Sequence, residues 1–350
     1  MILDEVFLRK LERLSLVTSH LRAGQVAGER RSIKRGTSVE FADYRDYTRG
    51  DDLRRVDWNI YARLERPFVK LFEEEEDLAV HLLLDGSASM DWGAGGGQGD
   101  KGTRGQGDGG TGRRGDKETG RQGDKETRGR GDGVGSDENK WVYARRVAAA
   151  LGYVALTSGD RLTVVKLQTP NSKLQSPISI LHSPSPILPP QFGPVRGRGH
   201  ALRLFEWLGG LQARGATDLN AGLRAYAVAA SRPGLVVLIS DLLSPSGYAE
   251  GLTRLAARGH GVAVLHTLSP DEVEPPLAGD LRLRDVETGE PQEVTVDDGT
   301  RALYRRRLAA WREEIRATCR ARDVHYVPIE TDTPFDRVVL YDLRRAGLLR

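Results

Sequence analysis

Apolar residues in this chain fall into two patterns that alternate over long stretches. Short, nearly continuous runs at 78–84, 162–167, 235–239, 262–265 and 324–328 have the length and the Leu/Val-rich character of strands buried on both faces. Between and after them, at 141–156, 201–211, 219–230, 248–258, 302–322 and 335–345, the sequence reads as helix, the first of these stretches being rich in alanine. Ser158-Gly159-Asp160 closes the first helix, and Thr217 or Asp218 offers a side-chain cap to the one starting at Leu219. Strand and helix in repeated alternation predict an α/β domain with a mainly parallel sheet and helices on both faces.

Four stretches break the alternation. Residues 3–21 carry Leu3, Phe7, Leu11 and Leu14 at helical spacing and predict an amphipathic helix, followed at 22–35 by a basic linker without interleaved aromatics. Residues 36–77 form a collar segment dense in Tyr, Trp, Arg and Asp, expected to pack on the main domain through Arg–carboxylate pairs, with a partner-binding face as the other use of the same groups. Within it, 48–51 reads as a turn, 68–72 as an extended piece and Glu73 to Glu76 as a solvated edge. From 93 to 139 the chain is almost all Gly, Asp, Lys, Arg, Glu, Gln and Thr, with GDKET at 115–119 and again at 123–127, which predicts a flexible low-complexity insertion. Residues 170–194, rich in Ser and Pro, offer short extended pieces and turns at best, and 270–299 reads as an inserted hairpin. The expected organisation is therefore 1–35, 36–77, and a main domain 78–350 interrupted at 93–139 and 270–299.

Composition narrows the function classes. Lys plus Arg number 52 and Asp plus Glu 49, a net charge of +3, too balanced to point to nucleic acid or an anionic membrane, so no direct nucleic-acid binding is expected. The single cysteine, Cys319, excludes an intrachain disulfide framework and an all-cysteine metal cage, and it reads as a buried inert thiol. The chain shows no signal-peptide pattern and no run of about 18 apolar residues. The expected location is cytoplasmic, with peripheral membrane association only through a partner.

The candidate chemistry lies where strands end. The run at 78–84 leads into Asp85-Gly86-Ser87-Ala88-Ser89, that at 235–239 into Ser240-Asp241, and Thr217 precedes a helix. Ligands of open α/β sheets collect at the carboxyl ends of strands, and Asp85, Ser87, Ser89, Thr217 and Asp241 together make an oxygen set rich in neutral hydroxyls. Such a set suits a hard divalent cation, Mg²⁺ first, with Mn²⁺ or Ca²⁺ as alternatives, and leaves the ion able to accept a carboxylate from a protein partner. No G-x-S-x-G elbow surrounds Ser87 or Ser89 and no histidine is assignable as their base, so a non-enzymatic binding module is expected. His266 reads as a structural hydrogen-bonding residue. A metal-assisted phosphoester hydrolase and a scaffold with a vestigial site are the alternatives.

These residues carry a resemblance. DGSAS at 85–89, Thr217 before a helix and Asp241 after a strand resemble the von Willebrand factor type A domain with its metal-ion-dependent adhesion site. The run VEFADYRDYTRGDDLRRVDWNIYARLERPFVKLFEEEED at 39–77 resembles the bacterial family called domain of unknown function 58. The resemblance implies a Rossmann-like sheet, metal ligation by Asp85, Ser87, Ser89, Thr217 and Asp241, and a working link, as adaptor or chaperone component, to MoxR-like AAA+ ATPases. The chain departs from the pattern in the low-complexity sequence after Met90 and in lacking the amino-terminal hydrophobic segments of longer relatives.

Overall fold

The computed structural model describes residues 3–17, 40–48, 56–73, 78–93, 138–168, 190–287 and 289–350. The expected basic linker and nearly all of the low-complexity insertion lie outside these residues, as do all of 170–189 and most of the acidic run at 73–76.

The amino-terminal helix is shorter than its apolar spacing predicts. Helix α1 spans Glu5–Leu11, started by Asp4, whose Oδ1 accepts from Phe7 N at 2.7 Å. Beyond it the chain extends, and Leu16 pairs antiparallel with Leu349, so Leu14 and Leu16 are buried as extended and not helical residues. The collar holds strands β1 (Glu40–Asp46) and β2 (Phe68–Glu73), paired antiparallel, with helix α2 (Trp58–Leu64) between them. The extended piece was legible, but the helix was not. Asp57 starts it by accepting from Asn59 N and Ile60 N. Val56 and Val69 are buried, whereas Trp58, Tyr61 and Tyr44 stay exposed, and the ion pair Arg66–Asp46 spans 3.5 Å at the surface. Arg49, Asp51, Asp52, Arg54 and Arg55, the charged groups on which the expected Arg–carboxylate collar depends most, lie outside the described residues.

The main domain follows the predicted alternation closely. Strand β3 (Ala79–Asp85) is succeeded by helix α3 (Lys140–Thr157), β4 (Arg161–Leu167), β5 (Gln191–Arg196), α4 (Ala201–Gly210), α5 (Leu219–Ala229), β6 (Leu235–Ser240), α6 (Ala249–Ala257), β7 (Gly261–Leu268), the single turn α7 (Pro270–Val273), the hairpin β8 (Gly279–Arg284) and β9 (Pro291–Val296), α8 (Asp298–Arg320) and β10 (His325–Glu330). A helical run through Phe335–Arg337, a π segment Val338–Asp342 and Leu343–Arg345 ends the chain. Six strands form one sheet in the order β5-β4-β3-β6-β7-β10, parallel except for β5, which runs antiparallel to β4. Numbered along this domain the order is the 3-2-1-4-5-6 of Rossmann-like sheets. The expected α/β class, a mainly parallel Rossmann-like sheet with helices on both faces, is what the chain adopts. Strand β5 is the element the pattern hid, because its proline and polar residues carry no strand signal.

Alternating side chains divide the core. Val80, Leu82 and Leu84 pack on one face with α1, α3, α4 and the carboxyl-terminal run, and Leu83, Val236, Leu238 and Val264 pack on the other with α5, α6 and the Ile315/Cys319 side of α8. Cys319 is fully buried, as expected, and burial pushes its thiol up to about 11. None of the described helices is long and apolar enough to cross a membrane.

The limits of the low-complexity insertion move inward from those the composition predicts. Asn139 caps α3 by accepting from Trp141 N and Val142 N, and Glu138 pairs with Arg146 at 2.8 Å. A Cβ on Gly93 would lie 3.4 Å from the Asn139 Cα, so the chain departs and returns at one place. Replacing residues 94–137 by a short Gly-Ser linker is expected to preserve cooperative thermal unfolding with an unchanged midpoint, because that sequence has almost nothing apolar to bury. Loss of a single transition in calorimetry would show that the insertion belongs to the domain.

Candidate functional site

Strands β3 and β6 lie side by side at the point where the strand order reverses, so their carboxyl ends open into one crevice. Asp85 is the last residue of β3, and its carboxylate is enclosed. Oδ1 accepts from Ser87 N at 3.0 Å, and Oδ2 accepts from the Ser240 hydroxyl at 2.6 Å. The Ser87 and Ser89 hydroxyls are 2.9 Å apart. Gly86 has to be glycine, since a Cβ there would sit 2.8 Å from the Leu167 carbonyl oxygen and closer still to the Lys166 side chain.

The loop bearing Thr217 is laced to this turn by backbone. Ala88 N donates to Gly215 O at 2.7 Å, and Arg214 N donates to Gly86 O at 2.9 Å. Sequence left the cap of the following helix open between two residues. Asp218 takes the role, accepting from Ala221 N at 2.8 Å, and the buried Thr217 hydroxyl has no hydrogen-bond partner. The third loop, after β6, is tied to the second by the Ser244 hydroxyl, which donates to Thr217 O at 3.0 Å. It turns sharply through Leu242, a buried residue held at φ 59°, a conformation rare for a bulky side chain. That turn aims Leu242 N at Ser240 Oγ and Leu243 N at Asp241 Oδ1. All three segments named from sequence therefore meet.

The electrostatics are dominated by buried acid. Burial first, and then the charge of Asp241, push the Asp85 carboxyl up to about 6 despite its hydrogen bonds. Asp241 is only 1% exposed, and its Oδ2 accepts from Lys140 Nζ at 2.8 Å. Lys140, wholly buried at the start of α3, also donates to Glu272 at 2.6 Å. Burial works against its charge, but the two acids outweigh it and hold the ammonium above its ordinary range. Glu272 is itself fixed by a capping box with Ser269. His266, as expected, is structural: Nδ1 bonds the Tyr326 hydroxyl at 2.8 Å and Nε2 faces the Asp241 carbonyl at 3.1 Å.

Two participants were missed by sequence reasoning. Lys140 adjoins the low-complexity stretch, where a lysine attracts no notice, and nothing local tells that it is buried 101 positions from Asp241. Glu287, in the turn of the β8–β9 hairpin, has its carboxyl pushed up by burial and then by the charges of Asp85 and Asp241. The residues fit a hard cation by the chemistry of their donors: a partnerless buried hydroxyl, a hydroxyl pair and two acids that repel each other. The fit leans on hydroxyls. Among the described residues, no three His, Cys, Asp or Glu side chains come together in a way that could hold a metal ion.

The model of a family described as protein of unknown function DUF58 matches residues 43–102 and 131–314. The uncharacterized protein Rv1480 of Mycobacterium tuberculosis is 26% identical over 345 residues, covering 97% of this chain and 90% of the relative. A shorter relative, the uncharacterized protein MAV169 of Mycobacterium avium, is 34% identical over 134 residues, 38% of this chain and 79% of the relative. Among solved structures, the conserved hypothetical protein BatB of Bacteroides thetaiotaomicron aligns with a TM-score of 0.37 at 11% identity, over 77% of this chain and 98% of that one. An aerotolerance-related membrane protein of Bacteroides fragilis aligns at 0.36 and 12%, over 77% and 99%. With its collar and its strand-end acids both inside the matched residues, the chain belongs to the DUF58 family.

Proposed function

We propose that this protein is a binding module that recognises an acidic side chain of a partner protein through a hard divalent cation held by Asp85, Ser87, Ser89, Thr217 and Asp241. Mg²⁺ is the ion of choice, with Mn²⁺ or Ca²⁺ as substitutes. The observation that carries the reading is the Thr217 hydroxyl, buried and without a partner in a loop bonded to the Asp85 turn. Buried polar groups are almost always paired, and one left over at the junction of three oxygen-bearing loops calls for a ligand. Bound there, the cation would offset the repulsion between Asp85 and Asp241 and present a coordination position to a carboxylate. Trp92, about half exposed and close in sequence to the Asp85 turn, is of the kind that anchors a protein interface.

The non-enzymatic part of the reading is supported by His266, whose ring nitrogens are both engaged, and by Lys140, which its acid partners keep protonated. The partner implied by the family resemblance is a MoxR-like AAA+ ATPase, with this chain as adaptor or chaperone component.

The test is Mn²⁺ binding followed by electron paramagnetic resonance, paired with pull-down of a purified MoxR-like ATPase with and without chelator. One Mn²⁺ per chain is expected, lost in Asp85→Asn and weakened about tenfold or more in Thr217→Val. Mn²⁺ affinity unchanged in both variants would refute the site, and capture insensitive to chelator would refute its use.

A further inference from the structure

Helix α1 and the carboxyl-terminal run form one layer on the sheet face that also carries α3 and α4. The rings of Phe7 in α1 and Phe335 in the run lie with centroids 4.9 Å apart. Leu16 pairs antiparallel with Leu349, and Ser15 and Arg350 exchange backbone hydrogen bonds at 3.3 and 2.9 Å. Apolar residues of both segments, Phe7 and Leu11 with Val338, Val339 and Leu343, enter a single core. The exposed residues of α1 and of the run are polar apart from Val6 and Tyr341, each 68% exposed.

The charges on the outer side of this layer do not balance. Its amino-terminal acids are used within the chain: Asp4 caps α1, Glu5 pairs with Arg9 at 2.7 Å, and Glu12 accepts from the Tyr153 hydroxyl at 2.9 Å and pairs with Arg198 at 2.6 Å. Lys10, Arg13, Arg337, Arg344 and Arg345 are exposed, and none has an ion-pair partner among the described residues. Against these five bases the acids left over are Asp336 and the half-buried Asp342. Along the run, Arg337 lies a turn before Tyr341, with Arg344 and Arg345 a turn after it, so one exposed aromatic ring sits amid three guanidiniums. Tyr and Arg are the residues that most often anchor protein interfaces.

We propose that the terminal layer is a second docking surface, which takes an acidic segment of a partner protein with its carboxylates on Arg337, Arg344 and Arg345 and its chain against Tyr341. Charge complementarity selects the occupant: carboxylates supply the counter-charge that the chain itself withholds from this layer. Nucleic acid fits less well, because one exposed aromatic cannot stack successive bases. A bilayer fits less well too, because Val6 and Tyr341 are too little apolar surface to enter it. The surface needs no cation and stands independently of the strand-end site.

The test is fluorescence anisotropy of a labelled polyglutamate peptide with the full chain, in chelator so that the strand-end site contributes nothing. Arg344→Glu/Arg345→Glu is expected to weaken binding about tenfold or more with an unchanged thermal midpoint, and Tyr341→Ser several-fold. Arg306→Glu/Arg307→Glu, which makes the same charge change at two exposed arginines of α8, is expected to leave the affinity as it is. Salt at about 1 M, where the screening length falls to about 3 Å, should abolish binding. Equal weakening in the two double variants would show that only overall charge matters and would overturn the surface. Unchanged affinity in Arg344→Glu/Arg345→Glu would overturn it as well. Oligouridylate or phosphatidylglycerol vesicles bound more tightly than the peptide would overturn the choice of partner.

Discussion

Lys140→Met is expected to lower the unfolding free energy of the metal-free protein by about 3–5 kcal/mol, the cost of leaving a buried charge without its partner. The ammonium is wholly enclosed and bridges Asp241 at 2.8 Å and Glu272 at 2.6 Å, with side-chain exposures of 0%, 1% and 20%. Glu272 retains some access to water and can be rehydrated. Asp241 has none, so the penalty falls on the acid at the end of β6. Denaturant unfolding reads the loss directly, and the double variant Lys140→Met/Asp241→Asn should recover part of it by removing the orphaned charge. A loss under about 1 kcal/mol would place this pair with surface ion pairs and contradict its burial. The same variant bears on the proposed ion. A divalent cation at Asp241 would supply the missing charge, so Mn²⁺ should restore stability to Lys140→Met by mass action.

Acid should weaken the fold through its histidines, against an opposing contribution from Asp85. Burial drives His81 down to about 4, helped by neighbouring His260, and drives His266 down to about 4, helped by the charge of Arg312. Each is neutral in the folded protein at pH values where the unfolded chain, with its ordinary value of 6.5, already binds a proton. Stability from these two groups is therefore complete above about pH 6.5 and is lost as pH falls toward 4. Asp85 has the reverse sign. Its folded carboxyl, raised to about 6, takes up a proton between pH 6 and 4 that the unfolded chain does not, which favours the folded state in acid.

Two protons bound by the unfolded chain against one by the folded chain leave a net of about one, or a loss of roughly 3–4 kcal/mol between pH 7 and 4. His260, also pushed down by burial, acts in the same direction as the other two histidines. Unfolding free energies measured across that range should slope accordingly. Asp85→Asn should steepen the slope toward two protons while raising metal-free stability at pH 7. A flatter slope in that variant would show that Asp85 is ionised at lower cost than its burial demands.

Most of the main domain was legible because each buried strand and each helix announces itself locally. The run at 235–239 needs only its own leucine, valine and isoleucine residues to become β6, and 141–156 only its alanines and aromatics to become α3, give or take a residue at each end. Elements set by context were illegible. Strand β5 forms because β4 offers an unpaired edge and not because Gln191–Arg196 is rich in strand formers. Helix α2 depends on the Asp57 cap, and α1 ends early because 15–17 pair with the chain terminus. In the site, Asp85, Ser87, Ser89, Thr217 and Asp241 stood out as acids and hydroxyls at element ends. Lys140 and Glu287 did not, since neither lies in a motif.

Sequence alone thus settled which segments are strands or helices and which loops carry oxygen, because hydrophobic period and capping act over a few residues. Tertiary structure decided that β3 lies against β6, that Asp218 and not Thr217 caps α5, and that one ammonium neutralises acids from two distant segments. Those outcomes depend on which surfaces meet once the whole chain is packed. The free energy of a buried charge or of an orphaned hydroxyl is a property of its surroundings, and no window of sequence contains them.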